Sequence, residues 1–128
     1  MPGDHEHVKI LKEIAEQFQP LFEKSPEGVY VYIDEVHKIC SKRFADMFGL
    51  TVSEWEGMEG FVTKHVAQAD VEGFVNAFHK HVHQELTPTR FQFTALRKDG
   101  SSFRAELHMI PFPWLGEMLA LHFVRQAK

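Results

Sequence analysis

The sequence predicts an α+β fold: a five-stranded antiparallel sheet with helices gathered on one face, entered through an amphipathic N-terminal helix. The first observation behind this is Arg97-Lys98-Asp99-Gly100-Ser101, which joins two runs that alternate at strand period, Asp-Gly being a strong hairpin signal. Before it, Phe91, Phe93 and Ala95 share one face and Arg90, Gln92 and Thr94 the other; after it, Phe103, Ala105, Leu107 and Met109 alternate with Arg104, Glu106 and His108. The pair therefore has one wet face and one aromatic face that needs a cover. The second observation is the cover itself, since Val71, Phe74, Val75, Phe78 and Val82 follow helical spacing. The third is element order: two strands, a run of short helices, then three strands, which implies an antiparallel sheet covered on one face.

Each element has its own signal. Asp4 can cap a helix running through roughly Phe18, and Val8, Leu11, Ile14, Phe18 and Leu21 recur at a three-four spacing. That stripe either packs on its own domain or forms the interface of a homodimer. Ser25-Pro26-Glu27-Gly28 breaks the helix. Val29 to Ile33 and Val36 to Cys40 read as strands joined at Asp34-Glu35. Ser41 caps a short helix from Lys42 to Phe48 that Gly49 closes. Thr51-Val52-Ser53-Glu54 is a capping box opening a helix that carries Trp55. Asp70 is expected to cap the longest central helix. After the hairpin, Pro111-Phe112-Pro113 is expected to end the second strand, Leu115-Gly116 to turn the chain, and Met118 to Val124 to form the last strand.

The 128 residues suffice for one core, read as a domain over 21–128 with a helical extension over 1–20. Fourteen basic residues against eighteen acidic ones leave no footprint for a phosphate backbone, so nucleic acid is not an expected partner. Protonating the nine His would reverse the sign of the net charge, which makes a pH response available. One Cys cannot form an internal disulfide and fits a reducing, cytoplasmic setting. No apolar run approaches membrane-spanning length, so no membrane partner is expected. Nucleophile motifs, phosphate loops and paired acidic signatures are missing, and the chain is expected not to be an enzyme.

From about Leu21 to Arg125 the chain resembles a PAS domain. Ser41 to Gly49 is similar to that family's first short helix with its closing glycine, and Thr51 to Gly57 to its next segment. The run from Asp70 looks like its long helix, and Lys98-Asp99-Gly100-Ser101 with Phe103 like its hairpin. Ser41 stands where many members have Asn, which preserves capping. Val124-Arg125-Gln126 stands where many have Asp-Ile-Thr, which implies a sensor-kinase or cyclase effector elsewhere rather than one coupled directly. Glu59 and Gly60 follow Gly57 where light-sensing relatives carry Asn and a reactive Cys, so photoadduct chemistry is not expected.

The resemblance implies a sensory, signal-transducing module that binds a small, mainly apolar ligand and signals through homodimer packing. The expected lining is Phe44, Trp55, Phe61, Phe74, Val75, Phe78, Phe91, Phe93, Leu107, Met109 and Leu121, whose alternative is a filled core. A ligand-free homodimerisation module is the second reading and a haem-based gas sensor the third. For haem, Val71 occupies the position that oxygen-sensing relatives use and cannot ligate iron, leaving His65, His79 and His83 in the wider region. No metal is assigned: of His79, His81 and His83 only the i, i+4 pair can converge, without further ligands nearby, and His5 and His7 read as solvated. Cys40 reads as a small core residue.

Overall fold

The computed structural model describes residues 2–127, with side chains from Glu6 onward. Helix α1 (Pro2–Gln17) and the short α2 (Gln19–Lys24) lead into β1 (Gly28–Asp34) and β2 (His37–Cys40). Four helices follow: α3 (Lys42–Met47), α4 (Val52–Glu56), α5 (Phe61–His65) and α6 (Gln68–Phe78). A π-helical turn over His79–Gln84 extends α6 before β3 (Thr89–Leu96), β4 (Ser102–Trp114) and β5 (Glu117–Gln126) complete an antiparallel sheet of order β2-β1-β5-β4-β3. The α+β architecture read from the sequence is the architecture found.

Local chemistry accounts for the joints. The Ser41 hydroxyl accepts from Phe44 N at 3.2 Å and from Val29 N at 3.1 Å, so one side chain caps α3 and ties it to β1. Gly28 makes this approach feasible, because a Cβ there would lie 2.9 Å from Phe44 Cα. Thr51 and Glu54 form the reciprocal capping box at α4. At the hairpin, Leu96 pairs with Ser102, and Arg97 N donates to Ser101 O at 2.8 Å.

Several sequence expectations are corrected. Helix α1 starts at Pro2, whose fixed φ suits a first turn, so Asp4 lies inside the helix and its side chain is outside the described residues, as is that of His5. Asp70 does not cap α6; Ala67 holds that position. Asp70 instead accepts Thr94 N at 2.8 Å and fastens the first turn of α6 to β3. The strand β4 continues through Pro111 and Pro113, which pair with Ala120 and Met118 on β5. Pairing with β3 ends at Met109, so β4 is an open edge beyond it, where a missing N–H is tolerated.

Both faces of the sheet are covered. On the helical face, Tyr30, Phe44, Phe48, Trp55, Phe61, Phe74, Phe93 and Leu107 are buried in one cluster. On the opposite face α1 lays Ile10 and Ile14 against Val31 and Leu119, with Leu11, Phe18, Ile33, Phe112, Trp114 and Leu121 packed around them. The N-terminal stripe thus packs on its own sheet through Leu11, Ile14 and Phe18, while Val8 is 58% exposed and Leu21 half-buried.

Candidate ligand pocket

A cleft of about 280 Å³ lies between the β1–β2 hairpin and α4 to α6. The hairpin contributes Tyr30, Tyr32 and Lys38 with Glu35 from its turn; α4 and α5 contribute Trp55, Phe61, Val62 and Thr63; α6 contributes Val71, Phe74, Val75 and Phe78; and His122 enters from β5. Period-two alternation aims Tyr30 and Tyr32 at the cleft while Val29 and Val31 face away. Gly60, at φ +74°, opens α5, and its N–H donates to Glu35 Oε2 at 2.8 Å, which pins α5 to the hairpin turn.

The walls are mostly aromatic. Tyr30 stacks on His122 with ring centroids 3.9 Å apart and planes 6° from parallel. Trp55 meets Tyr30 edge-on at 5.1 Å, and Phe78 meets Tyr32 edge-on at 5.4 Å. Such contacts order large surfaces with little rotamer freedom to lose. The π-helical turn beyond Phe78 brings Val82 fully into the core and leaves His79 exposed at the rim of the cleft.

Two polar groups stand out against this lining. Lys38 is only 3% exposed, and its ammonium donates to the carbonyl oxygens of Glu35 and Met58 and, at 3.4 Å, of Glu56. It also lies 5.3 Å from the centre of the Trp55 ring. Burial pulls its pKa down, against the opposing pull of Glu35, Asp34 and Glu56. His122 is 1% exposed, and burial lowers its pKa to about 3, so the imidazole is neutral; the Tyr30 and Ala120 main chain oppose the shift weakly. Among the described residues neither His122 nitrogen makes a well-formed hydrogen bond, although the main chain of Tyr30 and Ala120 lies close enough to act on the ring, and Trp55 Nε1 has no partner. Unmet buried groups of this kind cost about 1–3 kcal/mol each. Burial raises Tyr30 well above the usual phenol value and, with Glu35 and Asp34, takes Tyr32 to about 12, so both hydroxyls stay protonated.

Of the eleven residues expected to line a pocket, Trp55, Phe61, Phe74, Val75 and Phe78 do so. Phe44, Phe93, Leu107 and Met109 are buried in close-packed core, and Phe91 packs edge-on against Phe74 at 5.9 Å. Leu121 lies on the opposite face under α1 and is corrected on that ground. His65, weighed as a haem ligand, is off the cleft wall: its Nδ1 donates to Leu96 O at 2.7 Å, and its ring stacks on Phe61. His79 and His83 are exposed. Cys40 is buried, and burial raises its thiol pKa far above the ordinary value, with Glu56 adding to the effect. Tyr30, Tyr32, Lys38 and His122 were missed, although Ala120, His122 and Val124 fall on one face at period two and could have placed His122 inward.

A model of the PAS fold matches residues 37–122, two thirds of the chain. The chain belongs to the PAS family. Solved PAS domains overlay it closely. One, from an HTR-like protein of Haloarcula marismortui, is 24% identical over 96% of this chain and 99% of its own, with a TM-score of 0.67. The PAS domain of a two-component sensor histidine kinase is 14% identical over 91% and 99%, with a TM-score of 0.68. A third, from a LuxR-family transcriptional regulator of Burkholderia thailandensis in complex with ethanol, is 14% identical over 85% and 96%, with a TM-score of 0.66. A comparison with curated proteins finds no match. No described helix of this PAS domain is long and apolar enough to cross a membrane.

Proposed function

We propose that this PAS domain is a sensory module whose signal is a small aromatic molecule carrying one hydrogen-bonding group, held between Tyr30, Trp55, Phe74 and His122. The observation that carries the reading is the His122 imidazole, whose nitrogens make no well-formed hydrogen bond among the described residues, on the mostly aromatic wall of the cleft. An apolar cavity of about 150 Å³ accommodates benzene, so about 280 Å³ suits a one- or two-ring compound. A hydroxyl or carbonyl on that compound would meet the imidazole and remove an existing desolvation cost. A tetrapyrrole is far larger than the cleft, which weighs against the haem reading.

Transmission would run through β1. Its Tyr30 and Tyr32 face the cleft, while Val31 and Ile33 on the same strand support α1 on the opposite face. Occupancy that shifts β1 would change how α1 sits, and so how the chain meets a second copy or a kinase or cyclase effector. In a homodimer, Val8 and Leu21 are the members of the helical stripe nearest the surface. Sensor kinases and regulators among the structural relatives are in keeping with this use.

Mass spectrometry of the small-molecule extract from denatured protein tests the reading. A compound of one- or two-ring size is expected from the parent protein and is expected to be lost in Val71→Phe, which narrows the cleft from α6. An extract without such a compound, together with a solid core in a folded sample, supports the ligand-free interaction module instead.

A further inference from the structure

We infer that His7, Asp34 and His37 form a binding site for a divalent transition-metal ion of the Zn²⁺ class, which locks α1 onto the sheet. The three residues lie on α1, at the end of β1 and at the start of β2, and their candidate ligand atoms all fall within 4.8 Å of one another. They sit on the α1 side of the sheet, and none of the three lines the aromatic cleft.

The geometry fits a shared cation. Tetrahedral zinc with bonds of about 2.0–2.1 Å places neighbouring ligand atoms roughly 3.3 Å apart. His7 Nδ1 is 3.3 Å from Asp34 Oδ2, and His37 Nδ1 is 3.0 Å from the same oxygen. Small side-chain rotations close the set and leave the fourth position to water. The rings of His7 and His37 already face each other edge-on at 5.1 Å.

The hydrogen bonding also favours a metal. His7 Nε2 lies 3.3 Å from Glu117 Oε1 and Nδ1 lies 3.3 Å from Asp34 Oδ2, so the ring stands between two carboxylates, and a tautomer with its N–H toward Glu117 turns the Nδ1 lone pair toward the cluster. That Nδ1 is a buried atom with no hydrogen-bond partner, although it faces a carboxylate oxygen. In that tautomer a cation between Nδ1 and Asp34 Oδ2 would satisfy both atoms. Glu117 then plays the part of the outer carboxylate that fixes tautomer and ring orientation in metal-bound histidines. Asp34 is held ready, since its Oδ1 accepts from Val36 N at 3.0 Å and His37 N at 2.8 Å. On loading, His37 gives up its Nδ1 proton and carries its N–H on Nε2, so that a neutral imidazole presents its Nδ1 lone pair to the cation.

No metal is expected from the chain alone, because no three of these ligands are close together in it. These ligands come from three elements that meet only in the fold. A cation here would fix the N-terminal half of α1, beyond the point where Ile10 and Ile14 hold it, making the packing of α1 metal-dependent.

The test is isothermal titration of untagged, chelator-treated protein with ZnCl₂, alongside hydrogen exchange of α1. The expected result is one Zn²⁺ per chain, with slower exchange at the amides of α1. Binding should be lost in His7→Gln and Asp34→Asn and weakened about 10- to 100-fold in Glu117→Gln. It should be unchanged in a His79→Gln/His83→Gln double variant, which removes the surface pair. Circular dichroism establishes that each variant folds. The inference is overturned if no stoichiometric binding occurs, if binding survives His7→Gln, or if the surface pair proves to be the ligand. It is equally overturned if α1 is stabilised by acid and indifferent to zinc, since His7 would then be an imidazolium bridging Asp34 and Glu117.

Discussion

Replacing His122 by Phe should stabilise the domain at neutral pH and flatten its response to acid. In the folded chain burial lowers the imidazole pKa to about 3; in the unfolded chain it takes up a proton near its ordinary value of 6.5. A depressed folded-state value means that the unfolded state binds more protons between these limits. Stability is therefore full above pH 6.5 and falls progressively as the pH drops toward 3. At 1.36 kcal/mol per pH unit, the loss attributable to this one group between pH 7 and 5 is about 2 kcal/mol. Phe removes the titration and both unpartnered nitrogens while keeping a ring to stack on Tyr30, and the adjoining cleft gives it room. At pH 7 the variant should gain about 1 kcal/mol or more, the cost of leaving buried polar atoms unmet. Urea denaturation at pH 7 and pH 5 reads both effects, and the difference between the two proteins cancels the contribution of the other histidines. Parallel stability curves for parent and variant would refute the view that His122 is a neutral, buried and unpartnered imidazole.

Three further outcomes follow from named contacts. Gly28→Ala places a Cβ 2.9 Å from the Phe44 backbone and should lower stability by about 1–3 kcal/mol in a thermal melt; an unchanged melting temperature would mean that β1 and α3 are not so closely apposed. Asp70→Ala removes the acceptor of Thr94 N and should cost about 1–2 kcal/mol, with faster amide exchange at Thr94; exchange that stays slow would show that the amide is held by something else. Cys40, whose thiol burial keeps protonated, should react with a thiol reagent at pH 8 only after urea is added, and fast reaction in the native protein would contradict its burial.

Much of the fold could be read from the chain because the signals were local. The Asp99-Gly100 turn, the Ser41 cap and the Thr51–Glu54 capping box each depend on residues within a few positions of one another. Asp70 does not cap because the Thr94 amide takes its side chain, and Asp4 does not because the helix already begins at Pro2. The pocket was harder to read for a physical reason. With α1 on one face and α3 to α6 on the other, both alternating sets on β1 and β5 are apolar, so alternation does not say which set faces inward. Leu121 fits an apolar lining by type, whereas its polar neighbour His122 is the residue at the cleft. Lys38 is not legible as a pocket residue because a charge normally implies water; here three carbonyl groups take water's place. The His7, Asp34 and His37 cluster joins positions that only the packing of α1 brings together.

The central claim, that the cleft takes a small aromatic ligand with one polar group, is tested most directly by an NMR titration of ¹⁵N-labelled protein. The titrants are a panel of one- and two-ring phenols and aromatic ketones. Saturable shifts are expected at the amides of Tyr30, Tyr32, Phe61, Phe74 and His122, together with a change in the His122 ring resonances, and no response in Val71→Phe. Shifts that fail to saturate, or that map to the face under α1 around Leu119 and Leu121, would contradict it.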